Sequence, residues 1–258
     1  MIKLVKNIFK FREYLFFSIK FKLKAEIFNK KLGAFWWILD PLFQMLIYSF
    51  VFGMVYKSKE ASFPIFLFTV LLPWKWTSSS IQSAIASIKG KKSIVLNLYV
   101  PKIIFPLENV IVNFVKYLFG ILVLILMMII FKIQFTFHFL EVGYVILVNF
   151  FFICFICIFI SHMGLYILDI KNLTNHFTKL WWYISPGIYS LDMVPESLRK
   201  LIFLNPLTSL FISYRNTILY GKSPLYKELT ILLVCSILGI CLGMMLHSKY
   251  DKKYTKFI

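Results

Sequence analysis

The chain has 258 residues, 60% of them hydrophobic, and a mean hydropathy of +0.79. A soluble globular domain holds roughly 45–50% apolar residues, so that class is excluded. The net charge of +18 comes from 29 Lys and Arg against 11 Asp and Glu. It lies between apolar runs rather than on a soluble face, which points to membrane-flanking loops and away from nucleic acid.

Residues 3–31 place Lys3, Lys6, Lys10, Arg12, Lys20, Lys22, Lys24, Lys30 and Lys31 among Leu4, Ile8, Phe9, Phe11, Leu15, Phe16, Ile19 and Leu23. Apolar positions recur at three- and four-residue steps. This predicts a helix over 1–31, greasy on one face and cationic on the other, lying in the interface of an anionic leaflet. The lysines interrupt any continuous apolar core, so no cleavable signal peptide is expected.

Six spans follow, at about 36–56, 63–88, 103–131, 142–170, 177–189 and 229–247. The second is interrupted by "PWKW" at 73–76, where Pro73 frees a carbonyl and Lys75 brings a charge. Glu108 and Lys116 lie in the first half of the third and are too far apart on one helix to touch directly. The fifth is too short to cross unaided. Between 190 and 228, two amphipathic pieces, Leu198–Leu204 and Pro206–Leu219, are short enough to dip in and return as gate helices. A basic tail, 248–258, closes the chain. The expected fold is an all-α polytopic membrane protein. With both ends inside, Lys and Arg concentrate on the cytoplasmic side.

The stretch "KKLGAFWWILDPL" opens the first span at 30–42. Phe35, Trp36 and Trp37 fall where aromatic belts form, and Asp40 sits about one turn inside, beside Pro41. A carboxylate there is costly unless it meets a wet cavity, a partner charge or free donors. Gly33, Asp40 and Pro41 therefore read as a hinge and lip between a surface helix and a span. An ordinary aromatic anchor with a snorkelling acid is the bland alternative.

The cysteines Cys154, Cys157, Cys235 and Cys241 lie in apolar runs, so the "CFIC" spacing reads as packing rather than zinc binding. The stretch "GKKS" at 90–93 is no phosphate loop, because Ile85 stands where the leading glycine belongs. His138, His162, His176 and His247 are scattered without paired carboxylates, which argues against a membrane enzyme. No internal repeat supports a secondary transporter.

The stretch "LGAFWWILDPLFQMLIYSFVFG" (32–53) closely resembles the first-span signature of ABC-2 type permeases that export bacterial polysaccharides such as O-antigen, capsule and teichoic acid. The stretches "LLPWKW" (71–76), "NLYVPKIIFPLENVIVN" (97–113), "YISPGIYS" (183–190) and "LNPLTSLFISYRNTILYG" (204–221) resemble further segments of that family in order. Two departures are Val100-Pro101-Lys102 for a usual Phe-Pro-Arg, and Leu168-Asp169 for a usual Arg-Asp.

The resemblance implies a homodimer with a channel at its interface and a separate cytoplasmic ATPase that carries ATP and magnesium. It implies a lipid-linked, O-antigen-like glycan as cargo, in the inner membrane. A drug or lipid permease of the same type is the nearest rival. Sugars stack their C–H faces on aromatic rings, so Phe35, Trp36, Trp37, Tyr48, Trp74, Trp76, Trp181, Trp182 and Tyr183 are candidates for the channel wall. Lys89, Lys91, Lys92, Tyr99, Pro101 and Lys102 are candidates for ATPase coupling. Pro186, Asn205, Pro206 and Arg215 are candidates for the outer gate. No cofactor is expected on this chain.

Overall fold

The computed structural model describes residues 10–56, 63–251 and 254. The predicted helix before residue 10, the loop with Lys57 and Lys59, and most of the basic tail lie outside the described residues. Ten α-helices follow one another: α1 (Arg12–Phe28), α2 (Trp36–Tyr56), α3 (Phe63–Ile85), α4 (Lys92–Asn97), α5 (Ile104–Ile130), α6 (Val142–Tyr166), α7 (Ile170–Ile184), α8 (Glu196–Phe203), α9 (Pro206–Ile218) and α10 (Tyr226–Tyr250). No strand occurs among the described residues.

Among the described residues, four helical stretches are long and apolar enough to cross a membrane: Gly33–Phe52, Ile104–Ile130, Phe137–Tyr166 and Tyr226–Tyr250. Helix α3 differs because it is buried along most of its length from Phe63 to Ile85, with Ser79 and Gln82 exposed on one face. It is the axis of the bundle, with α2, α5, α6 and α9 packed around it. The expected interruption at 73–76 does not occur, for α3 runs unbroken through Pro73. Pro73 offers no N–H to the preceding turn, yet packing on all sides holds the helix together. The Thr77 hydroxyl donates to the Pro73 carbonyl at 2.8 Å.

Small residues let the outer helices approach. A Cβ added at Gly243 would lie 2.5 Å from Ile158, and one at Gly239 would collide with Phe155, so α10 seats against α6 through a small-xxx-small stripe. At Gly164 a Cβ would strike the Ile85 carbonyl, which locks the end of α6 to the end of α3.

Several expected boundaries move. The second span ends at Ile85 rather than 88, and the fourth at Tyr166 rather than 170. The fifth helix spans Ile170–Ile184 instead of 177–189. Pro186 explains its end: the residue before a proline is driven out of the α region, and Ser185 is extended at φ −80°, ψ 146°. The gate pieces appear as α8 and α9. Asn205 caps α9 with Pro206 at its first turn, the favoured order for a helix start.

The interfacial helix is less cleanly divided than its sequence suggests. Its protein-facing stripe is Tyr14, Leu15, Ser18, Ile19, Lys22, Leu23, Glu26 and Ile27, while Phe16, Phe17, Phe21 and Phe28 are exposed beside Lys20 and Lys24. Two charges point inward because α5 supplies their partners. Both described chain ends meet at one end of the bundle, where buried Tyr254 packs in a cluster with Phe105, Leu165, Tyr14 and Leu15.

Candidate functional site

The hinge between α1 and α2 is a tight turn. Gly33 has φ +50°, a left-handed conformation that side chains disfavour, and its N–H donates to the Lys30 carbonyl at 2.9 Å. The chain then enters α2 at Trp36, which carries Trp37, Asp40 and Pro41 onto the wall of a cavity of about 480 Å³.

That cavity is basic and aromatic. Lys30, Lys75, Lys116 and Lys171 line it with Glu26 and Asp40, so cations outnumber carboxylates. Trp37 and the edges of the buried Trp76–Tyr117 stack border it, and Ser79, Gln82, Ser83 and Asn113 supply neutral hydrogen-bonding groups. Asp40 and Lys75 share this wall without a direct ion pair. The cavity bears on the sequence problem of Asp40, which is exposed and lines its wall beside Lys75.

A charge ladder closes one side of the cavity. Glu108, 1% exposed, lies 3.4 Å from the Lys91 ammonium and 3.9 Å from that of Lys22. About two turns further along α5, Lys116 pairs with Glu26 at 2.6 Å. Lys22 also donates to the Asn109 amide oxygen. Asn109 and Asn113 donate in turn to Ser83 of α3 at 3.1 and 3.3 Å. Glu108 and Lys116 thus answer α1 rather than each other. Lys22, Glu26, Ser83, Asn109 and Asn113 escaped the sequence reading. The signal was there, since 109, 113 and 116 fall on one face of an otherwise apolar helix.

The candidate wall aromatics separate into three groups. Tyr48, Trp74 and Trp182 form one stack, with ring centroids 6.0 Å and 5.5 Å apart on either side of Trp182, and Trp181 meets Trp74 edge-on. Trp76 is buried on the other side of α3, stacked on Tyr117 at 5.0 Å and donating to the Val110 carbonyl at 3.2 Å. Trp37 rests on Phe119 at 5.4 Å, Trp36 is half-buried, and Phe35 and Tyr183 are exposed. Trp74 and Trp182 are core residues of the single chain, because three helices need wide flat side chains to fill the space where they converge.

At the opposite end of the bundle the four gate candidates are drawn into one network. The Asn205 side chain accepts from Trp181 Nε1 at 2.8 Å and from the Leu207 N–H at 3.1 Å, and donates to the Ser185 hydroxyl at 2.8 Å. Arg215, buried at 4% exposure, donates to the carbonyls of Pro186 and Gly187, each at 2.6 Å, and to that of Tyr189 at 3.3 Å. Its guanidinium lies 3.5 Å over the Phe66 ring. One side chain therefore ties α9 to the loop after α7 and to the start of α3.

The coupling candidates divide differently. Lys92 and Tyr99 are exposed, along with Leu96 and Leu98, and Lys89 is half-buried. Pro101 and Lys102 are buried, and Lys102 pairs with Asp251 at 3.2 Å. The Lys102 pair anchors the loop to the end of α10, because a buried ammonium must be paired. Lys91 likewise turns inward, toward Glu108. Among the described residues, no group of three or more His, Cys, Asp or Glu could hold a metal ion. Cys154 and Cys157 are buried free thiols.

No family model matches the chain. Curated relatives do. The chain is 26% identical over 239 residues to the O-antigen export system permease protein RfbA of Myxococcus xanthus, covering 92% of each. Two proteins of the same description from Klebsiella pneumoniae are 25% and 26% identical over 242 and 247 residues, covering 92% and 93% of this chain. This chain is similar along its length to proteins described as O-antigen export permeases. The likeness covers more than nine-tenths of this chain in each case, so it is not confined to one motif.

Proposed function

We propose that the chain is the membrane-spanning subunit of an ATP-driven exporter that moves a lipid-linked, O-antigen-like polysaccharide across the bacterial cytoplasmic membrane. The observation that carries this reading is the cavity at the hinge. Four lysines suit an anionic carrier headgroup, and half-buried Trp37 suits the C–H face of the first sugar. A glycan must slide, so stacking surfaces and neutral hydrogen-bonding groups serve it better than a fixed set of tight ion pairs.

The proposed topology has six passes: α2, α3, α5, α6, α7 and α10, with both termini cytoplasmic. The meeting of both chain ends at one end of the bundle supports an even number of crossings. Helix α7, with 15 residues, reaches only about 22 Å, so the loop after it and the gate helices α8 and α9 complete that crossing. The exposed apolar stripes Phe43, Leu46, Ile47 and Phe50 on α2 and Leu173, Phe177, Leu180 and Ile184 on α7 favour a second copy as neighbour, with the channel between them. Tyr183 is exposed beside the α7 stripe, and Phe35 at the foot of α2. Helix α4 and its exposed Lys92 and Tyr99 are the surface for a cytoplasmic ATPase, which holds ATP and magnesium.

The test is replacement of the native chain by a Lys75→Gln, Lys171→Gln variant, followed by fractionation of lipid-linked glycans. The expected outcome is a long glycan pool retained inside with loss of surface polymer. Normal surface glycan and no internal pool, from a variant present at native level in the membrane, would sink the cavity assignment.

A further inference from the structure

A second cavity, of about 430 Å³, lies where α1 meets the turn at 89–91 and the start of α4. Its walls have two chemistries. Lys22, Lys91 and Ser18 are polar, and Tyr14, Phe17, Phe21 and Ile94 are apolar. It is separate from the hinge cavity and shares no lining residue with it.

We infer that this cavity binds the phosphate of an anionic membrane phospholipid between the ammonium groups of Lys22 and Lys91, with the acyl chains laid on Phe17 and Phe21. Three observations support the inference. The first is charge. Both ammoniums lie within 4.0 Å of the same Glu108 oxygen, so two cations share one buried carboxylate. Adding the Lys116–Glu26 pair leaves three lysines against two carboxylates. One phosphodiester, with a single negative charge, would neutralise the cluster.

The second is burial. Desolvation holds the Lys22 ammonium below the usual lysine range, the nearby Glu108 carboxylate pulls it back up, and Lys91 pushes it down again. A half-buried cation cluster short of one anion is where an anionic ligand binds best. The third is position. Phe16, Phe17, Phe21 and Phe28 are exposed on the same helix, which places the cavity at the boundary between headgroups and hydrocarbon. A phospholipid satisfies both chemistries at once, and a free phosphate satisfies one.

The lipid would fasten α1 to the segment leading into α4. Lys91 ends the turn before α4 and Ile94 lies within it, so occupancy would stiffen the surface proposed to meet the ATPase.

The test uses the full chain reconstituted in vesicles of equal phosphatidylglycerol and phosphatidylcholine, extracted into detergent and examined by native mass spectrometry for retained lipid. Phosphatidylglycerol is expected in clear excess over phosphatidylcholine. Lys22→Gln with Lys91→Gln is expected to lower its retention about tenfold or more, in line with two basic contacts to an anionic lipid. Lys20→Gln with Lys24→Gln, on exposed positions of the same helix, is expected to leave retention unchanged. Phe17→Glu, which sets a carboxylate in the cavity and keeps both lysines, is expected to expel the lipid and stands in should the double Gln variant fail to fold. Equal loss in both lysine pairs would reduce the effect to general surface attraction and overturn the site. Displacement by millimolar inorganic phosphate alone would overturn the lipid as its occupant. Neither glycan nor ATP enters the measurement, so its failure and that of the export reading are distinct.

Discussion

Arg215 offers the sharpest test of how the outer end of the bundle is held. Its guanidinium makes two 2.6 Å bonds, to the Pro186 and Gly187 carbonyls, a longer one to Tyr189, and a face contact 3.5 Å over Phe66. Lysine keeps the charge but reaches these carbonyls with one compact ammonium instead of a planar fork. A hydrogen bond from a charged donor is worth about 1.5–3 kcal/mol, and a desolvated cation–aromatic contact about 2 kcal/mol. Arg215→Lys loses at least one short bond and part of the ring contact, so it should cost about 2–4 kcal/mol. Arg215→Met leaves every carbonyl of the loop without its donor and should cost more. For a chain of this size each kcal/mol moves the unfolding midpoint by roughly 2–4 °C. Thermal loss of the monodisperse peak of detergent-solubilised protein, at a fixed heating rate, reads this directly. Expected are a midpoint about 5–10 °C lower for Arg215→Lys and a further drop for Arg215→Met. An unchanged midpoint for Arg215→Lys, or a methionine variant more stable than the lysine one, would refute the view that the fork holds the gate loop.

Other substitutions test other joints by the same thermal measurement. Gly164→Ala places a methyl against the Ile85 carbonyl and should cost about 2–3 kcal/mol through forced separation of α3 and α6. Asn205→Ala removes a helix cap together with the partners of Trp181 and Ser185, and should cost about 2–4 kcal/mol. Asn205→Asp keeps the acceptor oxygens and should fall between Asn205→Ala and the native chain. Exchanging Glu26 and Lys116 should show each single reversal destabilising and the double partly restored. Their side chains are 32% and 25% exposed, so solvent screening limits the coupling to about 0.5–1 kcal/mol in a double-mutant cycle. Trp76→Phe keeps the stack on Tyr117, loses the bond to Val110, and should cost about 1 kcal/mol.

Much of the architecture was legible in the chain. Burial of apolar surface in lipid requires long uncharged runs, so α2, α5, α6 and α10 are visible as composition alone. Local chemistry also speaks plainly: Gly33 marks the left-handed turn at the hinge, Pro186 stops α7 one residue early, and Asn205-Pro206 starts α9. The short fifth helix was misplaced because Asp169, Lys171 and Lys179 dilute its apolar pattern. Its inward face carries Thr174 and Thr178 while its leucines point outward, so hydropathy cannot find its limits.

The charges are the clearest divide. The sequence alone places Asp40, Lys75, Glu108 and Lys116 in or beside the spans, where a bare charge in a low dielectric must find a partner or a wet space. It does not say which partner, since every pair in the ladder is contributed by a different helix or turn. Only the tertiary structure decided that α1 lies along α5, which brings Lys22 to Glu108 and Glu26 to Lys116. It also decided that Asp40 opens on a cavity while Lys102 is sealed against Asp251. Helical periodicity sets which residues share a face. What that face meets depends on how the long helices pack, and that rests on the shapes of Gly164, Gly239 and Gly243 as much as on any charge.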